Sequence, residues 1–181
     1  AQLEDRLKDT LGVDYFYFLT NGTVALQMAL RGLDLTKGDI ITTPYSYVAT
    51  TSAIMWERCH PVFVDVDPQT FCIDPQSIED AITPRTRAIM AVHVYGNACD
   101  VESIEDIAHR HNLKVIYDGA HAFGSIYNGR SLLDYGDIAT CSFHATKVFQ
   151  TIEGGCVITH SQELHEKMGL LRSFGHIGDE H

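Results

Sequence analysis

Short apolar runs and amphipathic stretches alternate along the whole chain. Runs rich in β-branched and aromatic residues occur at 15–19, 40–43, 61–66, 88–94, 114–118, 138–143 and 156–159. Their length and composition predict seven strands. Between them, apolar residues recur at helical spacing. Residues 23–32 carry Val24, Ala25, Met28 and Ala29 on one face. Further helices are predicted at 2–11, 48–57, 75–82, 101–111 and 162–171. Pro75 stands at a helix start, where proline is favoured. Asp100 precedes Val101 as a good N-cap.

Strands alternating with helices predict an α/β fold with a mostly parallel sheet and helices on both faces. Ligands in such sheets bind beyond the carboxyl ends of the strands. No repeat or Pro/Gly/Ser linker interrupts the pattern, so residues 1–181 are read as one domain with a substantial core. Both ends read as cut. The chain opens directly in a helical pattern and stops in a polar stretch at 173–181.

Composition narrows the partners. Thirteen basic residues against 24 acidic ones give a net charge of −11, and the basic residues form no stripe. Nucleic acid is therefore not an expected partner. No apolar run approaches the roughly 18 residues of a membrane span. The first residues, Ala1 to Leu11, mix acids, bases and leucines, unlike a secretory signal. The five cysteines are odd in number and contain no C-x-x-C. They are read as core thiols of a cytoplasmic protein. His109 and His111 flank Arg110 late in a helix and are read as surface residues.

Four features fall just beyond strand ends. Asn21-Gly22-Thr23 lies between the first strand and a helix. Its glycine allows close backbone approach, and the helix start offers free N–H groups to an anion. Asp118 ends a strand and could pair with a cationic ligand nitrogen. His121 follows three residues later. Lys147 lies in Ser142-Phe143-His144-Ala145-Thr146-Lys147, just after the sixth strand. A lysine amine can form an imine with an aldehyde cofactor. Glycines at 154 and 155 suggest a backbone packed tightly near a ligand. Tyr45-Ser46-Tyr47 supplies a ring that could stack on a flat cofactor. Each feature alone has a bland structural explanation, such as a turn, a cap, a packed ring or a solvated charge. Together they form a phosphate cradle, a ring platform, a pyridinium partner and an imine-forming amine, a set that matches pyridoxal phosphate (PLP). No G-x-G-x-x-G follows the first strand, and no G-x-x-x-x-G-K-[ST] occurs. A dinucleotide and a P-loop site are therefore not expected.

The chain resembles the DegT/DnrJ/EryC1/StrS family of sugar aminotransferases, which have the fold-type-I PLP architecture. The matching stretches begin with Asn21-Gly22-Thr23-Val24-Ala25-Leu26 and the run from Thr43-Pro44 to Tyr47-Val48-Ala49-Thr50. They continue through Pro61 to Asp67, His93-Val94-Tyr95-Gly96, Asp118 to Gly124, Ser142 to Lys147 and Glu153-Gly154-Gly155. They span nearly the whole chain in the family's order.

The resemblance implies roles. Lys147 matches the Schiff-base lysine, and Asp118 the carboxylate that pairs with the pyridine nitrogen. His121 matches a position near the ring oxygen. Ser142 matches a phosphate ligand, Gly22 and Thr23 the backbone phosphate cradle, and Tyr47 the stacking aromatic. The implied reaction moves an amino group from an amino acid, usually L-glutamate, to a nucleotide-linked keto sugar. The run from Ser142 to Glu153 looks most like enzymes that make 3- or 4-amino dideoxy sugars on dTDP. Family members are longer, with a smaller C-terminal domain that this chain is expected to lack, and they share active sites across a homodimer. The competing readings are an aminotransferase for another cyclic ketone, a PLP-dependent sugar dehydratase and a non-catalytic regulatory fragment. The dehydratase branch has histidine in place of Lys147.

Overall fold

The computed structural model describes residues 2–173, 175 and 176. Its main sheet has seven strands: β1 (Tyr15–Leu19), β2 (Asp39–Thr42), β3 (His60–Phe63), β4 (Thr86–Val92), β5 (Lys114–Asp118), β8 (Ile138–Ser142) and β9 (Gly155–Thr159). A separate hairpin pairs β6 (Ile126–Tyr127) with β7 (Arg130–Ser131). Strand order in the sheet is β1-β9-β8-β5-β4-β2-β3. Pairing is parallel from β3 through β2, β4 and β5 to β8. Strand β9 alone runs the other way, antiparallel to both β8 and β1.

Alternation along each strand divides the apolar side chains between two faces. Ile41, Ile89, Ala91, Val115 and Tyr117 join one core layer. Their neighbours Ile40, Ala88, Met90 and Ile116 join the other. The first layer is covered by α1 (Gln2–Leu11), α4 (Pro75–Asp80) and α5 (Val101–His111). The second is covered by α2 (Gly22–Gly32), α3 (Val48–Trp56) and α6 (Gln162–Arg172). Helix α2 shows why these residues form a helix. The Asn21 side chain caps the Val24 N–H at 2.9 Å, and Ala25, Leu26, Ala29 and Leu30 make a fully buried stripe.

Predicted and observed boundaries coincide for β1, β5, α1 and α5. The predicted strand 61–66 stops early, at Phe63. Beyond it, Asp65 and Asp67 bind nearby backbone N–H groups of Val66, Gln69 and Thr70. Such local side-chain bonds compete with a strand ladder. The strand predicted at 88–94 ends at Val92, and Val94–Gly96 forms a 3-10 turn. There Tyr95 adopts φ 56°, which breaks the extended run. The β6–β7 hairpin escaped the strand pattern because each strand has two residues. Its turn has Asn128 and Gly129 at φ 48° and 78°, as an Asn-Gly hairpin turn requires.

All five cysteines are buried and unpaired, while His109 and His111 are exposed. His93 stacks on Tyr117 at 4.5 Å, and burial pushes its imidazole down to about 3, so the ring is neutral. Among the described residues, no helix is long and apolar enough to cross a membrane.

Candidate functional site

The parallel strands and β1 end along one edge of the sheet. Register places Val92 beside Asp118, Asp118 beside Thr140, and both Ser142 and Leu19 beside Gly155. The helix after β2 covers one face and the helix after β4 the other. The chain therefore diverges between adjacent strands, the arrangement that opens a crevice at their carboxyl ends. A cleft of about 490 Å³ lies there. Gly22, Thr23, Tyr47, Asp118, His121, Ser142 and Lys147 all line it. The seven residues singled out in the sequence thus meet at one place, although up to 125 positions separate them.

At one end of the cleft stands the N-terminus of α2. Asn21 accepts from Val24 N through its side chain and from Ala25 N through its carbonyl. The amides of Gly22 and Thr23 have no acceptor within the helix. An ideal Cβ on Gly22 would sit 2.9 Å from the Ser142 Cβ, so glycine is what lets this turn close on the end of β8. Open amides, a threonine and a serine together suit an anion such as a phosphate.

Asp118 is buried at the end of β5, with 6% of its surface exposed. Its Oδ1 accepts the Ala120 N–H at 3.1 Å, and its Oδ2 accepts the Thr50 hydroxyl at 2.8 Å. A buried carboxylate with one donor on each oxygen keeps acceptor capacity for a cationic group. His121 accepts the Tyr95 N–H at Nδ1, at 3.3 Å. Burial first, and then the nearby Lys147 ammonium, hold this imidazole below its ordinary range, with Asp118 pulling the other way. A neutral His121 therefore carries its proton on Nε2, as a donor.

Lys147 sits on the loop between β8 and β9. That loop is tied to itself by Phe143 N to Gly154 O at 2.7 Å and Ala145 N to Ile152 O at 2.8 Å. His144 adds a further tie. Its Nδ1 accepts the Thr146 N–H at 3.3 Å, and its Nε2 lies 3.6 Å from a Glu153 oxygen. The half-buried Lys147 side chain lines the cleft, and no side chain among the described residues pairs with its amine.

The tight backbone packing expected at the glycines after Lys147 is found at Gly155, against the turn after β1 that lines the cleft. A Cβ on Gly155 would meet the carbonyl carbon of Asn21 at 2.5 Å, and its oxygen and the Gly22 nitrogen at 2.6 Å. The tight packing is chain against chain. It presses the lysine loop onto the anion-type turn. These neighbours are backbone atoms that cannot rotate away. Gly155→Ala is expected to cost about 2 kcal/mol, a fall in Tm of roughly 4–8 °C. Thermal unfolding monitored by circular dichroism checks this, and a Tm within 1 °C of wild type would contradict it.

Tyr47 lines the cleft at the start of α3 and is 75% exposed. Its neighbour Tyr45 turns elsewhere, against Phe71 and the Tyr95 hydroxyl. Sequence reasoning assigned no role to Asn21, Thr50, His144 or Glu153. Asn21 was readable as an N-cap, and His144 and Glu153 lay inside the motif around Lys147. Thr50 lay in the matching run after Tyr47, but nothing local to it pointed to Asp118.

A mostly parallel sheet, with an unpaired amine, a buried carboxylate and an open helix end at one edge, defines the class: the fold-type-I architecture of PLP-dependent aminotransferases. The chain belongs to the DegT/DnrJ/EryC1/StrS aminotransferase family, whose model matches residues 1–181. It is 52% identical over 178 residues to dTDP-4-amino-4,6-dideoxy-D-glucose transaminase of Shigella dysenteriae, covering 98% of this chain and 48% of the relative. It is 42% identical over 176 residues to GDP-perosamine synthase of Caulobacter vibrioides, covering 97% and 47%. Among solved structures, NtdA from Bacillus subtilis with bound cofactor PMP matches with a TM-score of 0.86 and 38% identity, covering 93% of this chain and 38% of that one. The chain spans about half the length of the curated relatives it matches.

Proposed function

We propose that this chain is the cofactor-binding part of a PLP-dependent aminotransferase. In this reading an amino group moves from an amino acid, L-glutamate, to a nucleotide-linked keto-deoxysugar. The observation that carries the proposal is the unpaired Lys147 amine, which shares a cleft with the buried carboxylate of Asp118. PLP supplies an aldehyde and an electron-withdrawing pyridine ring when bound. Lys147 would hold the aldehyde carbon covalently, and its amine, once released, would carry the proton at the reacting carbon. Asp118 would keep the ring nitrogen protonated. The Gly22 and Thr23 amides, with the Ser142 hydroxyl, would hold the phosphate. Tyr47 would lie on the ring, and His121 would donate from Nε2 to the ring oxygen.

The acceptor is proposed to be a dTDP-linked 3- or 4-keto-6-deoxyhexose. Support comes from the 52% identity to a transaminase named for a dTDP-linked amino sugar. The relative named for a GDP-linked sugar makes guanine nucleotides the control. The five buried free thiols support a cytoplasmic protein. We further propose a homodimer with shared active sites. Val48, Met55 and Trp56 are at least 60% exposed on one side of α3, beside the cleft residue Tyr47. So much apolar surface on one helix suits cover by a second subunit.

Full-length protein loaded with PLP is expected to lose its visible absorbance on adding L-glutamate. It should regain that absorbance on adding the dTDP-linked keto sugar. No response to any amino acid would overturn the assignment. Sedimentation velocity should give a dimer, and a fully active monomer at micromolar concentration would overturn the shared site.

A further inference from the structure

We propose that Thr50 is a positioning residue for Asp118: its buried hydroxyl fixes the carboxylate and so decides where the proton of a bound pyridine nitrogen resides. The inference rests on the cofactor reading above and concerns a residue outside the set assigned there.

Thr50 lies in the first turn of α3, fully buried, with its amide bonded to Tyr47 O at 3.2 Å. Its hydroxyl reaches across 68 positions of sequence to Asp118 Oδ2 at 2.8 Å. Three other buried threonines place their hydroxyls on backbone carbonyls. Thr42 donates to Met90 O at 2.8 Å, Thr140 to Tyr117 O at 3.4 Å and Thr159 to Asp137 O at 2.7 Å. Those bonds serve the sheet. The Thr50 bond instead serves a carboxylate that lines the cleft.

The bond fixes geometry first. Oδ1 is held by the Ala120 amide and Oδ2 by Thr50, so the carboxylate plane is defined from two sides. A β-branched side chain is stiff at χ1, and this one stands on a helix packed into the core through Ala53 and Ile54. The second effect is electrostatic. A donor to the charged form of a carboxylate stabilises that form. The start of α3 adds the positive end of its dipole to the same region. Without the hydroxyl, the carboxylate binds a proton more readily. A proton shared with a ring nitrogen then moves toward the acid, and the ring loses its positive charge. Thr50 thus acts on the reaction through Asp118, without touching substrate.

The test uses the full-length protein loaded with PLP carrying ¹⁵N at the ring nitrogen. Wild type and Thr50→Ser, which keeps the donor, are expected to share the resonance of a protonated ring. The near-isosteric Thr50→Val should move it toward the unprotonated value. It should also raise the cofactor Kd roughly tenfold, about the loss of one hydrogen bond to a charged group. Thr50→Ala, smaller and also without the donor, should move the resonance the same way. A purely structural role predicts the opposite order, with the valine variant mild and the smaller serine worse. That order, or an unmoved resonance in both donor-free variants, would overturn the inference alone. Failure of wild type to bind PLP would overturn the inference and the proposed function together.

Discussion

Replacing Lys147 by alanine is expected to abolish covalent capture of PLP while leaving the fold intact. The amine has no partner among the described residues, so its loss strands no buried group. The loop that carries it is held by backbone bonds at Phe143, Ala145 and Thr151, which do not involve the lysine side chain. The change in stability should stay within about 0.5 kcal/mol, as for surface substitutions away from special features. Borohydride treatment followed by intact-mass measurement should attach one cofactor to wild type and none to Lys147→Ala. Cofactor mass on the variant would move the amine to another lysine. Amino transfer should fall to background, because the same amine is proposed to carry the proton at the reacting carbon.

Asp118→Asn should leave PLP bound but slow the half-reaction with L-glutamate by roughly 10²–10³-fold, the range seen when one preorganised electrostatic partner is removed. The fold should tolerate it. An amide oxygen can keep the bond from the Ala120 N–H, now at 3.1 Å. The Thr50 hydroxyl, now a donor at 2.8 Å, can rotate to accept from the amide nitrogen. What the amide lacks is the negative charge that holds a proton on the ring nitrogen. Stopped-flow absorbance during the first turnover reads the effect directly. A rate within twofold of wild type would remove Asp118 from this role.

These two residues were legible for different reasons. Asp118 ends an apolar strand, and an acid there is held at the carboxyl edge where α/β sheets bind ligands. Lys147 became conspicuous through its neighbours, the serine at strand end and the paired glycines beyond. Gly154 and Gly155 were legible as a tight place, but the contact they serve was not. Gly155 meets Asn21 and Gly22 across more than 130 positions, and nothing in the local sequence of either segment names the other.

By itself the sequence determined the alternation of strands and helices, the parallel class of sheet and the edge at which chemistry would gather. Periodicity, caps and strand-length apolar runs are local properties, so they survive without coordinates. Tertiary structure alone decided the reversed direction of β9, which nothing within residues 155–159 encodes. It also decided the pairing of Thr50 with Asp118. A threonine in a helix start reads as an ordinary helix residue. Only the packing of α3 against the sheet brings its hydroxyl within 2.8 Å of the carboxylate. The partner of a buried polar group is chosen by the fold, because many segments could supply a donor and only packing says which one arrives.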